Sequence, residues 1–333
     1  MALDLTLSSY HADVTRPLMT GEVEPEGMDL TTVSEYPPRR HRRFFRHGEF
    51  DAAEVSLASY LSAQEDPEQY PFTAIPVFPE RKFRHSFLYK HVEADIEGPR
   101  DLADAAVGIQ SWQTTANVWI RGALQDQYGL DLESITWYRR REDDAEIDIP
   151  DRYDVRPLPD ASNPDAVEET GEFENALLTG DLDAAMDPAG SLFNTVVESD
   201  AAELFFEDPI AEERAYYEET GIYPPMHVVA IRDEILESHP WVAVNLFDAF
   251  VESRDRCFEH NKSPSAKTSL AWSHLHRHEQ RAVLGPGAWE YGLTKRTEHE
   301  LRTFSRYASE QGLTRREYDP AELFFETTLD LQA

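Results

Sequence analysis

Between Pro79 and Leu88 the chain lays down Arg81, Lys82, Arg84 and His85 within five positions. They follow an apolar run, Ile75, Val77 and Phe78, that reads as a buried strand broken at Pro79, and a second apolar run comes next. Four basic side chains at a strand end reverse the local sign of a chain whose formal net charge is -33. Arginine offers planar, paired N–H donors, so such a junction is suited to holding a carboxylate. The competing reading is a solvated turn that pairs with the acidic surface.

Three other places carry residues with chemical potential. The loop after the first strand, Leu3 to Leu7, holds Tyr10 and Arg16, and in open α/β sheets loops of this kind present ligand groups. Further on, a strand from Ala106 to Ile109 leads through a polar loop, Gln110 to Thr115, into a long helix ending near Tyr128. That loop brings Trp112, Thr114 and Thr115 to a helix N-terminus, where free N–H groups and the dipole favour an anion and Trp112 can stack on a flat ring. The alternative there is helix capping by Thr114 or Thr115 with Trp112 in the core. Finally, HLHRH (His274, His276, His278) resembles a metal-binding spacing. Only His274 and His278 share a helical face and no carboxylate-rich partner motif accompanies them, so no metal is expected.

The elements that position these groups follow from periodicity and punctuation. Strands are expected at Leu3 to Leu7, Met28 to Val33, Phe50 to Val55 and Met226 to Ile231, the last opened by His227. A helix from Arg39 to His47 points Phe44 and Phe45 inward and its five arginines largely outward, and Gly48 ends it. Ser56 is expected to start a loop. The pattern Gly-acid-apolar-Asp-Ala-Ala occurs twice, at Gly48 to Glu54 and at Gly180 to Met186, about 130 residues apart, each time after a helix. Two α/β lobes of similar design would produce that spacing. The preceding helix of the second copy is expected from about Val167 to Thr179. Residues 139 to 165 are charged and proline-rich and read as a partly mobile excursion with one short strand. After His239 and Pro240 comes an amphipathic helix. A helix from Lys295 to Gln311 and a terminal packing helix close the chain.

Bulk properties narrow the class. At 333 residues with 41% apolar content the chain can bury a large core, and about two domains are expected. Acidic residues outnumber basic ones 64 to 31, and only five of the basic residues are lysine. Such a surface argues against nucleic acid as a partner. It suggests adaptation to molar salt, which screens charge within about 3 Å at 1 M. No apolar run is long enough to cross a membrane, and MALDLTLSSY has no positive region, so a cytoplasmic protein without an export signal is expected. The single cysteine, Cys257, excludes an internal disulfide and falls among core positions of a helix.

Several strings together resemble the 4,5-dihydroxyphthalate decarboxylase family: TRPLMTGEVEPEGMDL, EFDAAEVSLASYL, AIPVFPERKFRHSFLY, VGIQSWQTTANVWIRG, TGIYPPMHVVAIR, HPWVAVNLFDAF and EQGLTRREYDPAELF. The resemblance covers about residues 3 to 325, with 139 to 165 unmatched. It implies an α/β fold of the type 2 periplasmic-binding-protein kind: two lobes, each a mixed sheet flanked by helices, with the ligand cleft between them. Residues 1–88 plus 228–333 would form lobe 1 and residues 89–227 lobe 2, with crossovers near Ser86 to His91 and Pro225 to Val229. The arginine-rich helix and the acidity depart from the family, and neither is expected at the cleft.

The activity implied is non-oxidative decarboxylation of a hydroxylated, phthalate-like aromatic acid, with no cofactor. Arg16, Arg84 and Arg121 would hold the retained carboxylate. His85 and His227, one from each crossover, would supply the proton, and imidazole is the side chain that titrates nearest neutrality. Trp112 would form an aromatic wall, and Ser56, Ser59, Thr114 and Thr115 would hydrogen-bond the substrate's oxygens. The partner implied is a small aromatic carboxylate, with neither nucleic acid nor membrane, and self-association is left open. The competing classes are a cytoplasmic solute-binding protein for an aromatic acid or pyrimidine-like ligand, and another enzyme acting on a carboxylated aromatic.

Overall fold

A computed structural model describes residues 2–159, 171–188, 190–262 and 268–333. The chain divides into two compact units: Met1–Arg81 with Pro225–Arg302 and Tyr318–Ala333, and Lys82–Pro224 with Thr303–Glu317. The expected boundaries lay a few residues later, at 88/89 and 227/228, and left residues 303–317 in the first lobe. Those residues belong to unit 2 because their aromatic side chains pack there: Phe304 lies 4.9 Å from the Trp119 ring, and Trp112 Nε1 donates to Gln311 O.

Unit 1 opens with β1 (Leu3–Ser9), α1 (Arg16–Met19), β2 (Met28–Ser34), α2 (Pro37–His47), β3 (Ala52–Ser56), α3 (Leu57–Ala63) and β4 (Phe72–Ile75). Unit 2 contributes β5 (Leu88–His91), β6 (Ala106–Ile109), α4 (Thr115–Tyr128), β7 (Thr136–Arg139), β8 (Asp154–Pro157), α5 (Glu172–Thr179), β9 (Ala184–Met186), α6 (Gly190–Val197), β10 (Ala202–Leu204) and α7 (Pro209–Thr220). The chain returns to unit 1 as β11 (His227–Arg232), α8 (Asp233–Ser238), α9 (Trp241–Lys262) and α10 (Ser273–Leu284); α11 (Lys295–Glu310) passes from unit 1 to unit 2 between Arg302 and Thr303. The part of the expected 167–179 helix before residue 171, and residues 160–165 of the charged excursion, lie outside the described residues.

Among the described residues, the sheet of unit 1 runs β2-β1-β3-β11-β4, with β1 parallel to β2 and β3, and β11 antiparallel to β3 and β4. The sheet of unit 2 runs β8-β7-β6-β9-β5-β10, with β6 parallel to β7 and β9, and β5 antiparallel to β9 and β10. Leaving out β8, the two orders match strand for strand and direction for direction. The duplicated sequence pattern is therefore the strand that both units place third.

The chemistry shared by the two copies of that pattern has a local cause in each. Gly48 and Gly180 end α2 and α5 in the left-handed conformation, at φ 57 and 78, which costs glycine little. The aspartate three residues on then accepts a hydrogen bond from the neighbouring parallel strand: Thr6 N donates to Asp51 Oδ2, and Ala106 N donates to Asp183 Oδ2, both at 2.7 Å. The two alanines that follow are buried because the strand lies in the middle of its sheet.

Two expectations change. Ser56 caps α3, its Oγ accepting from Ser59 N at 3.3 Å, so a helix rather than a loop follows β3. The chain's end is two short 3-10 turns, Pro320–Leu323 and Glu326–Thr328, in place of a packing helix. Each unit has its own apolar centre. Phe44, Phe45, Tyr60, Tyr70 and Phe72 stack in unit 1, and Tyr89, Phe173, Leu177, Leu182 and Leu192 cluster in unit 2. No helix among the described residues is long and apolar enough to cross a membrane.

Candidate active site

The strongest concentration of buried, ionisable side chains lies on one face of the unit 1 sheet. Strand β3 reads Ala-Ala-Glu-Val-Ser, and every residue of it is buried, so Glu54 places a carboxylate at a core position. In the antiparallel ladder Ser56 faces His227 and Glu54 faces Val229. Side chains alternate along strands, so Glu54 and His227 emerge on the same face as diagonal neighbours. Their side chains close that diagonal: His227 Nδ1 lies 2.6 Å from Glu54 Oε1.

Three further elements complete the group. Strand β1 ends beside β3, and Ser9 Oγ donates to Glu54 Oε2 at 2.5 Å, while Tyr10 N reaches the same oxygen at 3.1 Å. From α2, the fully buried Arg40 donates through Nε to Glu54 O at 2.6 Å and places Nη2 3.1 Å from Glu54 Oε1. Glu80 is held by its backbone, its carbonyl accepting from Met226 N at 2.8 Å. That fixes its carboxylate 3.2 Å from His227 Nδ1. His41 meets the His227 ring edge-on at 5.0 Å.

The electrostatics follow from these contacts. Burial pushes the Glu54 carboxyl up, but Arg40, then His227 and Ser9, outweigh burial and hold the group well below the usual carboxylate range. Glu54 is therefore an anion, and it can only accept from His227 Nδ1. This leaves Nε2 as the imidazole nitrogen not engaged with the carboxylates.

Glu54, Glu80 and His227 also form the one group among the described residues whose ligand atoms all lie within 4.8 Å of one another, so a metal must be considered. Two donors sharing a small cation at about 2.1 Å each stand roughly 3.3 Å apart. The 2.6 Å contact is a hydrogen-bond separation, and Arg40 already occupies the same Glu54 oxygen. As placed, Glu54 and His227 stand as a hydrogen-bonded pair.

The residues singled out by sequence divide between the units. In unit 1, Tyr10 is 48% exposed and Arg16 is exposed at the start of α1, both in or next to the segment that follows β1. Ser56 and Ser59 are buried and joined by the α3 cap. Arg81 does not join a carboxylate-holding cluster: it is buried in unit 1 against Glu300, Nη1 to Oε2 at 2.7 Å. In unit 2, Arg84 is mostly buried with its guanidinium 5.2 Å from the Phe87 ring.

Three of the assigned roles need correction. His85 is 3% exposed between the Phe206 and Tyr216 rings, and burial pulls its pKa down to about 4 in spite of the nearby Gln127 amide. It is a neutral core ring near pH 7 and a poor proton reservoir. Trp112 is fully buried, with Nε1 bound to Gln311 O, so it is no wall for a ligand. Arg121 is fully buried with its guanidinium 3.8 Å from the Trp112 ring centre and 5.6 Å from that of Trp137. Its Nε donates to Gln311 Oε1 and its Nη2 to Trp112 O. Thr114 bonds Ser111 Oγ at 3.0 Å, and Thr115 is buried in the first turn of α4. His274, His276 and His278 are exposed on α10.

Sequence reasoning missed Glu54, Glu80, Ser9 and Arg40. Arg40 had been placed on a solvated face. Yet Arg40 and His41 precede Phe44 and Phe45 by four residues, one helical turn, and so share their buried face.

No protein-family model matches the chain. A curated protein named 4,5-dihydroxyphthalate decarboxylase from Comamonas testosteroni is 31% identical over 331 residues, which is 98% of each chain. A second of the same name, from Pseudomonas putida, is 35% identical over 192 residues, 56% of this chain and 70% of that one. Among solved structures, the periplasmic aliphatic sulphonate binding protein SsuA from Escherichia coli superposes with a TM-score of 0.54 at 13% identity, covering 99% of both chains. That likeness establishes the periplasmic-binding-protein fold.

Proposed function

This chain belongs to the 4,5-dihydroxyphthalate decarboxylase family, a family of carboxy-lyases, and from that premise we propose that it releases CO₂ from a dihydroxylated, phthalate-like aromatic acid, with His227 delivering the proton that takes the carboxyl group's place. The observation that carries the reading is the Glu54–His227 contact. A buried anion fixes Nδ1 and so orients Nε2 as the nitrogen that exchanges a proton.

The chemistry balances with no redox step. The imidazolium gives its Nε2 proton to the ring carbon that bears the leaving carboxylate. A hydroxyl para to that carbon releases electron density as the new C–H bond forms. The carbon–carboxylate bond then breaks, its electron pair restores the aromatic ring, and CO₂ departs. Solvent reprotonates His227. Glu54 and Glu80 hold the Nδ1 side of the ring, and Arg40 keeps Glu54 ionised throughout. Arg16, exposed in the segment after β1 six residues beyond Tyr10, is the guanidinium assigned to the carboxylate that stays.

The test is CO₂ release from 4,5-dihydroxyphthalate by the full chain and by His227→Ala. The substitution is expected to lower kcat by about 10²- to 10⁴-fold while the protein still binds substrate, read as a ligand-induced rise in Tm. Turnover near the wild-type rate in His227→Ala defeats the assignment. A Tm rise without turnover in the wild-type protein points to a receptor for such an acid.

A further inference from the structure

Helix α10 buries only Leu284 of its twelve residues. Around it Leu270 is 56%, Trp272 64% and Leu275 55% exposed. An isolated helix of this length is marginal in water, and helices in proteins owe their stability to an apolar face packed on something. Trp272 and Leu275 are three residues apart and share a face. The segment also runs against the net charge of -33: residues 268–284 carry Arg277, Arg281 and three histidines against the single acid Glu279.

The same chain presents the complementary surface. The outer side of α7 forms a shallow depression lined by Asp208, Ile210, Ala211, Arg214, Ala215 and Glu218. Ile210 is 61% exposed there, between acidic side chains. An apolar helix edge with basic flanks, and an apolar seat whose rim carries two acids, Asp208 and Glu218, beside one arginine, Arg214, are thus both encoded in one sequence. We propose that α10 docks on a second copy of this chain, seating Trp272 and Leu275 against the α7 depression with Arg277 and Arg281 facing its acids. A nucleic acid or an anionic membrane offers no such apolar seat and meets the repulsion of the whole acidic surface. A second copy is repelled too, but short ion pairs and apolar burial survive the screening that removes long-range repulsion.

Sedimentation velocity of the full chain tests this, in about 1 M KCl where charge is screened within about 3 Å. The wild-type protein is expected to self-associate. Trp272→Glu with Leu275→Glu on one face, and Ile210→Glu on the other, should each raise the dissociation constant at least about 30-fold, the loss of a central aromatic or apolar anchor. Far-UV circular dichroism checks that each variant is folded. Arg277→Glu with Arg281→Glu, at a half-buried and an exposed position, provides a second pair of substitutions if the apolar ones disturb α10. A wild-type protein that stays monomeric to about 100 μM, where even a weak contact near -5.5 kcal/mol would show, overturns the proposal. So does unchanged association in folded variants. A monomer that co-sediments with anionic phospholipid vesicles assigns the helix to lipid instead and equally refutes a second copy.

Discussion

Each unit of this protein buries an arginine completely, and the two are used in opposite ways. Arg40 in unit 1 sits against a carboxylate that is itself bonded to an imidazole, a hydroxyl and a backbone amide. Arg121 in unit 2 lies against indole rings and bonds only to neutral oxygens, and burial draws its pKa down to about 9. A guanidinium beside a carboxylate fixes that carboxylate's ionisation, and through it the tautomer of whatever ring the carboxylate holds. A guanidinium between rings contributes cation–π attraction and packing, and it shuts the same rings away from any ligand. The first arrangement can move a proton. The second is core.

Substitution in the two clusters separates these roles. His227→Ala should remove most turnover, about 10³-fold, with little change in Tm, because the ring it deletes lies at the edge of a group that Arg40 and Ser9 continue to hold. Glu54→Gln should lower kcat more than it alters KM, since it leaves the ring in place and removes only the charge that orients it. In unit 2, Trp112→Ala should cost about 3–5 kcal/mol of stability, the usual loss for a fully buried aromatic. The protein that remains folded should keep its kcat. Urea unfolding alongside initial rates would show the cross-over; loss of kcat in folded Trp112→Ala would return that ring to the ligand site.

How much of this was legible beforehand depended on whether a residue's partners were near it in sequence. The strands around the duplicated pattern could be read because Gly48 and Gly180 mark helix ends and the aspartates bond to adjacent strands in the same way. Histidine 227 stood out by type and position. Glu54 had no local clue to its partner, which lies 173 positions away. It was visible only as an acid at the centre of an apolar strand. Trp112 and Arg121 looked like a ligand wall and clamp because the residue that closes over them, Gln311, comes 190 or more positions later. Ser56 looked like the start of a loop, although serine after a strand is also the usual opening of a helix.

The two histidines extend the contrast to pH. His85 takes up a proton only near pH 4 when folded, against about 6.5 when unfolded. Between these values the unfolded chain binds more protons, so the neutral buried ring stabilises unit 2 fully above pH 6.5 and progressively less as pH falls toward 4. The whole effect is about 3 kcal/mol. His85→Leu should flatten the decline in urea midpoint between pH 7 and pH 4.5 and leave turnover at pH 7 intact. A variant with the same pH slope as wild type would mean that His85 is not held neutral. A large fall in turnover would return it to the list of proton donors.

The smallest effect tests the correspondence between the units themselves. Asp51 and Asp183 hold the same kind of backbone amide at the same length, each just before a strand that occupies the same place in its sheet. Hydrogen bonds to a charged acceptor contribute about 1.5–3 kcal/mol, so Asp51→Ala and Asp183→Ala should each destabilise their own unit by roughly that amount. Hydrogen exchange resolves the two. Asp51→Ala should speed exchange at Thr6 and its neighbours in β1, and Asp183→Ala at Ala106 and its neighbours in β6. Because Asp51 lies three residues before Glu54, its loss should also loosen the strand that carries the proton-holding cluster and lower turnover modestly. Asp183, in a copy whose matching position is Met186, should affect stability alone. Equal effects of the two substitutions on turnover would break the proposed assignment of the chemistry to unit 1.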